Sequence, residues 1–402
     1  MPNAGTSPHS ILLIAGDVSG DVHAAALART LLAHDPSRRI HALGGKRLRE
    51  VVAQSSGGTF LADSTNSSAI GLISAIRIYF HCRGLRDRLW DFVDHHRVDL
   101  AILCDWGGFN KRVIPGLHAR GIRVLYYFPP GSWQRTGERA LGIVPYVTRV
   151  ATPFAWSAER LRAAGARADW VGHPALEQAE RPGEAAAARA KFALAPNELL
   201  VALFPGSRPS EVRVLAPRMA GTAQIVKAQM PARFVAAVPR ELQEEARRYF
   251  PSSVEIVTDC ARELLLAADA AVIKTGTGTL EAVLAGTPQV AVYDVSIIGR
   301  IEWCLLWSWR WVPFIAMPNI ILQREAVPEL IGLQCQPEKI ARALLRLLTD
   351  AEAKEKMLRD YALIAQALGS ELPILPTERT AQIVEEMLSE MSAGAVARSA
   401  VA

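Results

Sequence analysis

The sequence predicts an α/β protein with two Rossmann-like halves, each a parallel sheet covered by helices. Short apolar or β-branched runs alternate with amphipathic stretches, which is the pattern of repeated strand–helix–strand units. This alternation is interrupted near residue 175 and begins again near residue 199. The 402 residues, 50% of them hydrophobic, are enough for roughly two or three cores. We therefore expect two α/β domains of similar size.

Five runs of the first half are predicted strands, at residues 11–15, 40–43, 99–104, 122–127 and 169–172. The amphipathic stretches 22–34 and 85–95 are predicted helices between them. The Ala/Glu/Arg-rich stretch 177–197 predicts a linker that contains a helix. Five further strands are predicted at residues 199–204, 234–238, 254–257, 270–273 and 290–293.

These elements divide the chain into three regions. Residues 1–175 are predicted to form an N-terminal Rossmann-like domain, and residues 176–355 a second one. Residues 356–402 are predicted to form a helical tail without strands. The residues after Met391 are small, so the end of this tail is expected to be disordered.

The composition narrows the classes of partner. The sequence contains 45 Lys and Arg residues against 40 Asp and Glu residues, which gives a net charge of +5. This mild excess suits an anionic substrate or membrane surface, and we expect no nucleic-acid partner. The five cysteines form no CxxC pair, which argues against a structural zinc site or a disulfide framework. The N-terminus has no basic segment, and its apolar run 11–15 is too short for a signal peptide, so a cytoplasmic location is expected.

The loop AGDVSGD, residues 15–21, follows the first predicted strand and opens a helix. Its glycines allow a tight turn, and the helix start offers free N–H groups to a polar ligand. Asp17 and Ser19 are therefore candidate site residues. Ser19 and Asp21 are equally ordinary helix caps, so the structural alternative stays open.

The segment CDWGGFN, residues 104–110, follows a strongly apolar strand. Asp105 stands at the carboxyl end of that strand, where open α/β sheets bind their ligands. Its carboxylate is a candidate base for a hydroxyl nucleophile. The alternative is an Asx turn that only closes the strand.

The segment FPGSRPSE, residues 204–211, is again a strand, a turn and a helix start. Backbone donors at Gly206 and Ser207, together with the forked cation of Arg208, suit a diphosphate. Ser210 and Glu211 can instead be read as residues that cap the helix and complement its dipole.

A second glycine-rich loop, KTGTGTLE at residues 274–281, also links a strand to a helix. Glu281, one turn into that helix, is placed to take both hydroxyls of a ribose. The alternative is a solvated first-turn acid. The loop lacks the GKS/T ending of a P-loop, but its backbone donors suit phosphates. The candidate phosphate-binding residues of this loop are Thr275, Gly276, Thr277, Gly278 and Thr279.

Two apolar segments are candidates for contact with a membrane. Residues 69–92 combine isoleucines and aromatics with arginines, and residues 303–311 hold four of the nine tryptophans. Buried core is the commoner explanation for such stripes, but apolar surface beside arginine is also typical of interfacial helices.

The ordered motifs AGDVSGD, IGLISAI, CDWGGFN, YYFPP, VGHP, FPGSRPSE, TGTGTLEA and MPNIIL closely resemble bacterial lipid-A-disaccharide synthases, from about residue 11 to residue 350. The resemblance implies a GT-B fold whose two parallel sheets face an interdomain cleft. It implies an inverting glycosyltransferase that joins UDP-2,3-diacylglucosamine to a lipid-linked glucosamine 1-phosphate, without metal or cofactor. The expected partners are the UDP-sugar donor, the lipid-linked acceptor and the inner face of the cytoplasmic membrane. The oligomeric state stays open, a homodimer being one alternative.

The resemblance also implies roles for the candidate residues. The Ser207 backbone and Arg208 would hold the diphosphate, and the 275–279 loop would surround the phosphates. Glu281 would hold the ribose, and Asn319 would lie at the nucleotide-sugar site. In the N-terminal domain, Asp105 would match the acidic residue implicated in catalysis, with Asp17 and Ser19 facing the acceptor.

Four departures from the family pattern concern the site. Asp17 replaces a glutamate, Gly108 replaces a second acid, and residues 129–135 lose a glutamine and one tryptophan of the pattern. Lys274-Thr275 stands where a serine precedes the glycine loop. The donor motifs are therefore better kept than the acceptor motifs. Two alternatives follow: a UDP-sugar transferase for another glycolipid acceptor, and a non-catalytic nucleotide-sugar binding protein.

Overall fold

The computed structural model describes residues 8–65, 72–134, 141–179, 181–294 and 313–399, with side chains except those of 72–78, 141 and 394–399. The chain forms two compact units. Unit 1 comprises Met1–Pro174 and Leu368–Ala402, and unit 2 comprises Ala175–Ala367. The predicted tail 356–402 is therefore divided: its beginning lies in unit 2, and its remainder returns to unit 1.

The sheet of unit 1 has seven parallel strands in the order β3-β2-β1-β4-β5-β6-β7. In the centre, β1 pairs with β4, and Ala15 lies opposite Cys104 at their carboxyl ends. The strands are β1 Ser10–Ala15, β2 Arg39–Gly44, β3 Phe60–Asp63, β4 Leu100–Cys104, β5 Arg123–Tyr127, β6 Arg149–Thr152 and β7 Ala168–Trp170.

The sheet of unit 2 has six parallel strands in the order β10-β9-β8-β11-β12-β13. Its central strands are buried and rich in Ala, Val and Leu, as expected where helices cover both faces. The strands are β8 Leu200–Phe204, β9 Arg233–Ala237, β10 Val254–Val257, β11 Ala270–Lys274, β12 Gln289–Tyr293 and β13 Glu329–Ile331.

Helices connect the strands and cover the sheets. In unit 1 they are α1 Val18–His34, α2 Lys46–Val52, α3 Leu72–His95, α4 Gly107–Ala119 and α5 Ala155–Ala163. The helices of unit 2 are α6 Glu184–Lys191, α7 Pro209–Lys227, α8 Gln243–Arg247, α9 Ala261–Ala267, α10 Gly278–Leu284, α11 Met317–Leu322, α12 Pro337–Thr349 and α13 Ala351–Leu368. The last residue of α13 already belongs to unit 1. The final helix, α14 Pro376–Ser399, lies in unit 1.

All ten predicted strands are present, with ends within two residues of the expected positions. Three strands were not predicted: β3, β6 and β13 have only three or four residues each. β3 and β13 lie at sheet edges and are only partly buried. β6 begins with Arg149, whose buried guanidinium is paired with Asp169 at 2.6 Å. Short strands with charged or half-exposed residues lack the hydrophobic pattern that identifies a strand.

The C-terminal helix α14 belongs to the core of unit 1. Ala381, Ile383, Val384, Met387 and Leu388 are buried in one cluster with residues of β1 and α1. The helix continues to Ser399, past the point at which disorder was expected.

Helix α3 confirms that the segment 69–92 is helical from residue 72. Its C-terminal half packs into the core of unit 1 through Leu85, Leu89 and Phe92. Tyr79 and Phe80 are instead 55% and 63% exposed. No helix within the described ranges is long and apolar enough to cross a membrane. The tryptophan segment 303–311 lies outside the described residues.

Candidate functional site

Three carboxylates meet at the carboxyl ends of the central strands of unit 1. Because Ala15 and Cys104 are register partners, the loops that follow β1 and β4 lie side by side. Asp105 is the first residue after β4. Burial raises the pKa of the Cys104 thiol well above its ordinary value, and the negative charges of Asp105, Asp17 and Asp21 add to this effect. This thiol therefore stays protonated at neutral pH.

Asp17 is the N-cap residue of α1. Its Oδ1 accepts hydrogen bonds from the Gly20 amide at 2.6 Å and from the Ser19 hydroxyl at 3.4 Å. The capping role therefore belongs to Asp17, and not to Ser19 or Asp21 as the structural alternative expected. Ser19 contributes its hydroxyl to the same carboxylate.

Asp21 has a structural role in the fold. It is 4% exposed, and its two oxygens accept the amides of Gly45, Arg47 and Leu48 at 2.8, 3.0 and 3.2 Å. These amides belong to the start of α2, where no helical carbonyl is available to them. Asp17 and Asp105 thus remain as the candidate carboxylates of unit 1.

Asp105 lies in an unusual backbone conformation. Its φ is +50° and that of the next residue, Trp106, is +46°, a region that non-glycine residues rarely adopt. The backbone carbonyl of Asp105 accepts hydrogen bonds from the side-chain Nδ2 of Asn110 at 2.6 Å and from the Tyr126 hydroxyl at 2.9 Å. The α4 N-cap is Trp106, so Asp105 is not the capping residue of the helix. Such strain, held by surrounding hydrogen bonds, is typical of functional sites.

The pKa of the Asp105 carboxyl lies near neutral pH. Burial and, to a smaller extent, the negative charge of Asp17 raise the pKa of its carboxyl to about 7, against a hydrogen bond from the Trp106 amide that lowers it. A general base is most effective when its pKa lies near the working pH, because it is then both ionised and basic. The geometry and the pKa thus both support Asp105 as a base.

Two buried imidazoles, neither of them a predicted site residue, lie close to each other, and one of them, His23, is beside Asp17. His23 stacks on Phe128 with ring centroids 5.0 Å apart, and His173 meets Phe128 edge-on at 5.4 Å. Burial lowers the pKa of His23 to about 4, against the opposing charge of Asp17, and that of His173 to about 3. Both rings are therefore uncharged at neutral pH. Phe128 is the first residue after β5 and has a φ of +57°, so this ring cluster lies at the carboxyl end of that strand.

Unit 2 contains a pocket of about 330 Å³ at the carboxyl ends of β8, β9 and β11. Both glycine-rich loops border it, as the sequence predicts. Six of the nine residues predicted to bind the donor line this pocket: Ser207, Thr275, Gly276, Thr277, Gly278 and Glu281.

Glu281 is partly buried in the wall of the pocket, so it is not the solvated acid of the alternative interpretation. Burial raises the pKa of its carboxyl. Within the described part of the chain no side chain pairs with it. A carboxylate in this position can accept two hydroxyl groups of a ligand, which would replace the water lost on burial.

In the loop 204–211, which borders the pocket, the carboxylate of Glu211 closes the turn. The Ser207 amide donates to Oε2 of Glu211 at 3.0 Å, and Gly206 above it has a φ of +120°. A Cβ on Gly206 would lie 2.4 Å from that oxygen, so only glycine allows this turn. Arg208 does not line the pocket; its guanidinium is 48% exposed and lies 3.8 Å from Glu211.

Two predicted ligands have internal roles instead. The hydroxyl of Thr279, fully buried, donates to the Gly276 carbonyl at 2.7 Å and closes the glycine turn. Asn319 is also fully buried, and its Nδ2 donates to the Val327 carbonyl and to Glu329 at 3.0 and 2.9 Å.

The Oδ1 of Asn319 accepts the amides of Ala326 and Val327 at 2.8 and 2.9 Å. The Asn319 amide therefore has no donor or acceptor left for a ligand. The side chains of Thr279 and Asn319 are thus engaged within the chain, and their roles at the donor site stay predictions. Within the described ranges, no group of three or more His, Cys, Asp and Glu side chains is arranged to hold a metal ion.

Comparison with known sequences identifies one family. A family model described as lipid-A-disaccharide synthetase matches residues 11–380. The lipid-A-disaccharide synthase of Myxococcus xanthus (strain DK1622) is 34% identical over 373 residues, which cover 90% of this chain and 94% of the relative. That of Anaeromyxobacter dehalogenans (strain 2CP-1 / ATCC BAA-258) is 32% identical over 387 residues, covering 95% and 97%. These matches confirm the family that the motifs predict.

Comparison with solved structures identifies the fold. The glycotransferase of kitacinnamycin has a TM-score of 0.61 at 14% identity and covers 95% of this chain and 100% of its own. MurG of Acinetobacter baumannii has a TM-score of 0.57 at 12% identity, covering 94% and 99%. At these identities the likeness concerns the fold alone, and with the two parallel sheets it confirms a GT-B architecture.

Proposed function

The chain belongs to the lipid-A-disaccharide synthase family, and from this membership we propose that it joins UDP-2,3-diacylglucosamine to a lipid-linked glucosamine 1-phosphate. It is a UDP-sugar-dependent hexosyltransferase of lipid A biosynthesis. The observation that carries the proposal is the family match over residues 11–380, which includes the candidate residues of both units. A pocket bordered by glycine amides and a carboxyl tuned near neutrality support the same chemistry.

Mass spectrometry of the reaction products tests this function. Purified protein with UDP-2,3-diacylglucosamine and diacylglucosamine 1-phosphate is expected to release UDP and a disaccharide 1-phosphate. Release of UDP with a free sugar only would contradict the transfer. Replacing the acceptor by other glycolipids distinguishes the first alternative, and binding of UDP without turnover identifies the non-catalytic one.

In the proposed mechanism, unit 2 holds the donor. Backbone donors of the glycine turns bind the diphosphate, and Glu281 accepts the ribose hydroxyls. Arg208 lies outside the pocket lining in the free protein, and its exposed guanidinium turns to the phosphates when the donor binds. Thr279 and Asn319 keep the surrounding loops in position through the hydrogen bonds described above. Donors that are fixed before the reaction stabilise the charge that develops on the leaving diphosphate.

In the same mechanism, unit 1 activates the acceptor. The acceptor hydroxyl transfers its proton to Asp105 while its oxygen attacks the anomeric carbon. The bond from that carbon to the diphosphate oxygen breaks on the opposite face, and UDP leaves with the electron pair. Asp17 and Ser19 face the acceptor, and the charge of Asp17 keeps Asp105 basic. A single displacement inverts the anomeric configuration and needs no second carboxylate, which agrees with Gly108.

Glu281→Gln is expected to weaken the binding of UDP more than that of inorganic diphosphate. Only UDP carries ribose hydroxyls, and a neutral amide accepts them less strongly than a carboxylate does. Calorimetry with both ligands measures the difference. Arg208→Ala is the matched contrast, because loss of a phosphate contact should weaken both ligands by about one to two decades. Equal losses for both ligands in Glu281→Gln would identify Glu281 as a residue of the fold.

For the membrane-facing side, we propose that α3 attaches the protein to the inner face of the cytoplasmic membrane. Tyr79 and Phe80 expose two adjacent aromatic rings, and exposed arginines at positions 83 and 88 follow them. Aromatic side chains near arginines suit an interface of anionic lipid head groups and acyl chains.

Phe80→Glu is expected to reduce flotation of the protein with anionic liposomes, since it replaces an apolar anchor by a charge that anionic lipid repels. Leu375→Glu is the matched control, because Leu375 is 61% exposed in unit 1 but lies outside α3. Both substitutions are at exposed positions and should leave the fold intact. Equal flotation of wild type and both variants, or no flotation of wild type, would contradict attachment through α3.

A further inference from the structure

A lysine that departs from the family pattern enters the pocket of unit 2. Lys274 is the last residue of β11 and lines the pocket, with 22% of its side chain exposed. Its Nζ lies 2.9 Å from Oε1 of Glu211. A Cβ built on Gly276 would lie 3.6 Å from the same Nζ, so the ammonium stands beside the glycine turn. An anion seated at that turn would therefore be within reach of Lys274.

Glu211 occupies the place that an anionic ligand would take. One of its oxygens accepts the Ser207 amide at 3.0 Å, and the other faces Lys274 at 2.9 Å and Arg208 at 3.8 Å. A backbone amide, an ammonium and a guanidinium around one carboxylate are the same set of donors that binds phosphate oxygens. The side chains of Glu211 and Lys274 are only 12% and 22% exposed, so the contact between these two is largely shielded from water.

We propose that Lys274 is a diphosphate ligand, which Glu211 neutralises in the free protein and which the phosphate oxygens of the donor take over on binding. The inference rests on the proposed role of this pocket as the donor site. Two cations face one carboxylate here, which leaves one positive charge for a ligand. The flexible stem of lysine allows the ammonium to turn from Glu211 to a neighbouring oxygen without movement of the backbone.

Two substitutions with opposite expected effects test the exchange. Lys274→Met removes the cation and is expected to weaken UDP binding by about one to two decades, while uridine binding stays unchanged. Glu211→Gln keeps an acceptor for the Ser207 amide but removes the competing charge, so it is expected to tighten UDP binding by up to about tenfold. In the double variant, the effect of Glu211→Gln is expected to shrink, because the cation it releases is absent.

The matched control is Lys191→Met. Lys191 forms a pair with Glu263 at 2.7 Å in the same unit but outside the pocket, and its loss should not change UDP affinity. Lys274→Ser, which introduces the serine of the family pattern, serves as a second variant if Lys274→Met does not fold. Calorimetry at two salt concentrations measures all affinities.

The outcomes separate this inference from the donor-site assignment. A purely structural ion pair predicts that Lys274→Met and Glu211→Gln weaken binding alike, and that result overturns the exchange. Unchanged UDP affinity in the folded Lys274 variants overturns it as well, while UDP binding by wild type still supports the donor site. If wild type binds neither UDP nor diphosphate, the donor site itself is refuted and the inference falls with it.

Discussion

Asp105→Asn is expected to lower turnover by about 10²–10⁴-fold and to leave UDP affinity nearly unchanged, because it removes the proposed base and nothing of the donor pocket. The backbone at Asp105 is held by Asn110 and Tyr126 through its carbonyl, which the substitution keeps. Turnover under saturating donor and acceptor, together with UDP calorimetry, measures the two effects. Turnover within a few-fold of wild type would exclude Asp105 as the base and leave Asp17 as the remaining candidate.

The pH dependence of activity gives an independent measurement of the same group. Asp105 acts as a base only when ionised, so activity is expected to rise with pH through about 7. Asp17→Asn removes a negative charge that raises the pKa of Asp105, so the rise is expected at lower pH. If activity rises at the same pH in Asp17→Asn as in wild type, the group that titrates does not belong to this pair of carboxylates.

Stability distinguishes loss of a base from loss of the fold. The pKa of Asp105 in the folded protein is raised above its ordinary value of 3.8 to about 7. The folded state therefore holds this proton more tightly than the unfolded state, and stability falls as pH rises between those two values. Asp105→Asn removes the buried charge, so the variant should be at least as stable as wild type above pH 7. A less stable variant would attribute its loss of activity to folding.

Met387→Ala is expected to lower the free energy of unfolding of unit 1 by about 2–5 kcal/mol, the range found for large-to-small changes in packed cores. Met387 is fully buried in α14, in the same cluster as Leu27 and Leu31 of α1. Hydrogen exchange of peptides from β1 and β4, compared with peptides from β8 and β11, assigns the loss to one unit.

Leu375→Ala is the control for Met387→Ala, because a side chain that is 61% exposed leaves no cavity when it is shortened. Its exchange rates should equal those of wild type in both units. Slower or unchanged exchange of β1 in Met387→Ala would show that the C-terminal helix adds nothing to the first sheet.

The sequence predicts those parts of the fold and site that depend on local pattern. The ten predicted strands are short runs rich in apolar or β-branched residues. Asp105 was found because it directly follows a strand, and Glu281 because it follows a strand and a glycine-containing turn. The family resemblance added the order of the motifs.

The remaining features depend on contacts between distant residues. His23, Phe128 and His173 form one ring cluster although they are about 45 to 150 positions apart, and no local pattern marks them. Asn319 stands in a recognisable motif, but only the folded chain shows that its amide is fully engaged by residues 326–329.

The return of the chain to unit 1 at Leu368 has a consequence for synthesis on the ribosome. All residues of unit 2 are made before α14, so unit 2 can fold while unit 1 still lacks the helix that covers α1. During synthesis the N-terminal sheet therefore has an exposed apolar face until α14 is made. Chaperones bind such exposed surfaces, and chains that carry them tend to aggregate. A premature stop after residue 367 would leave unit 2 complete and unit 1 permanently unfinished.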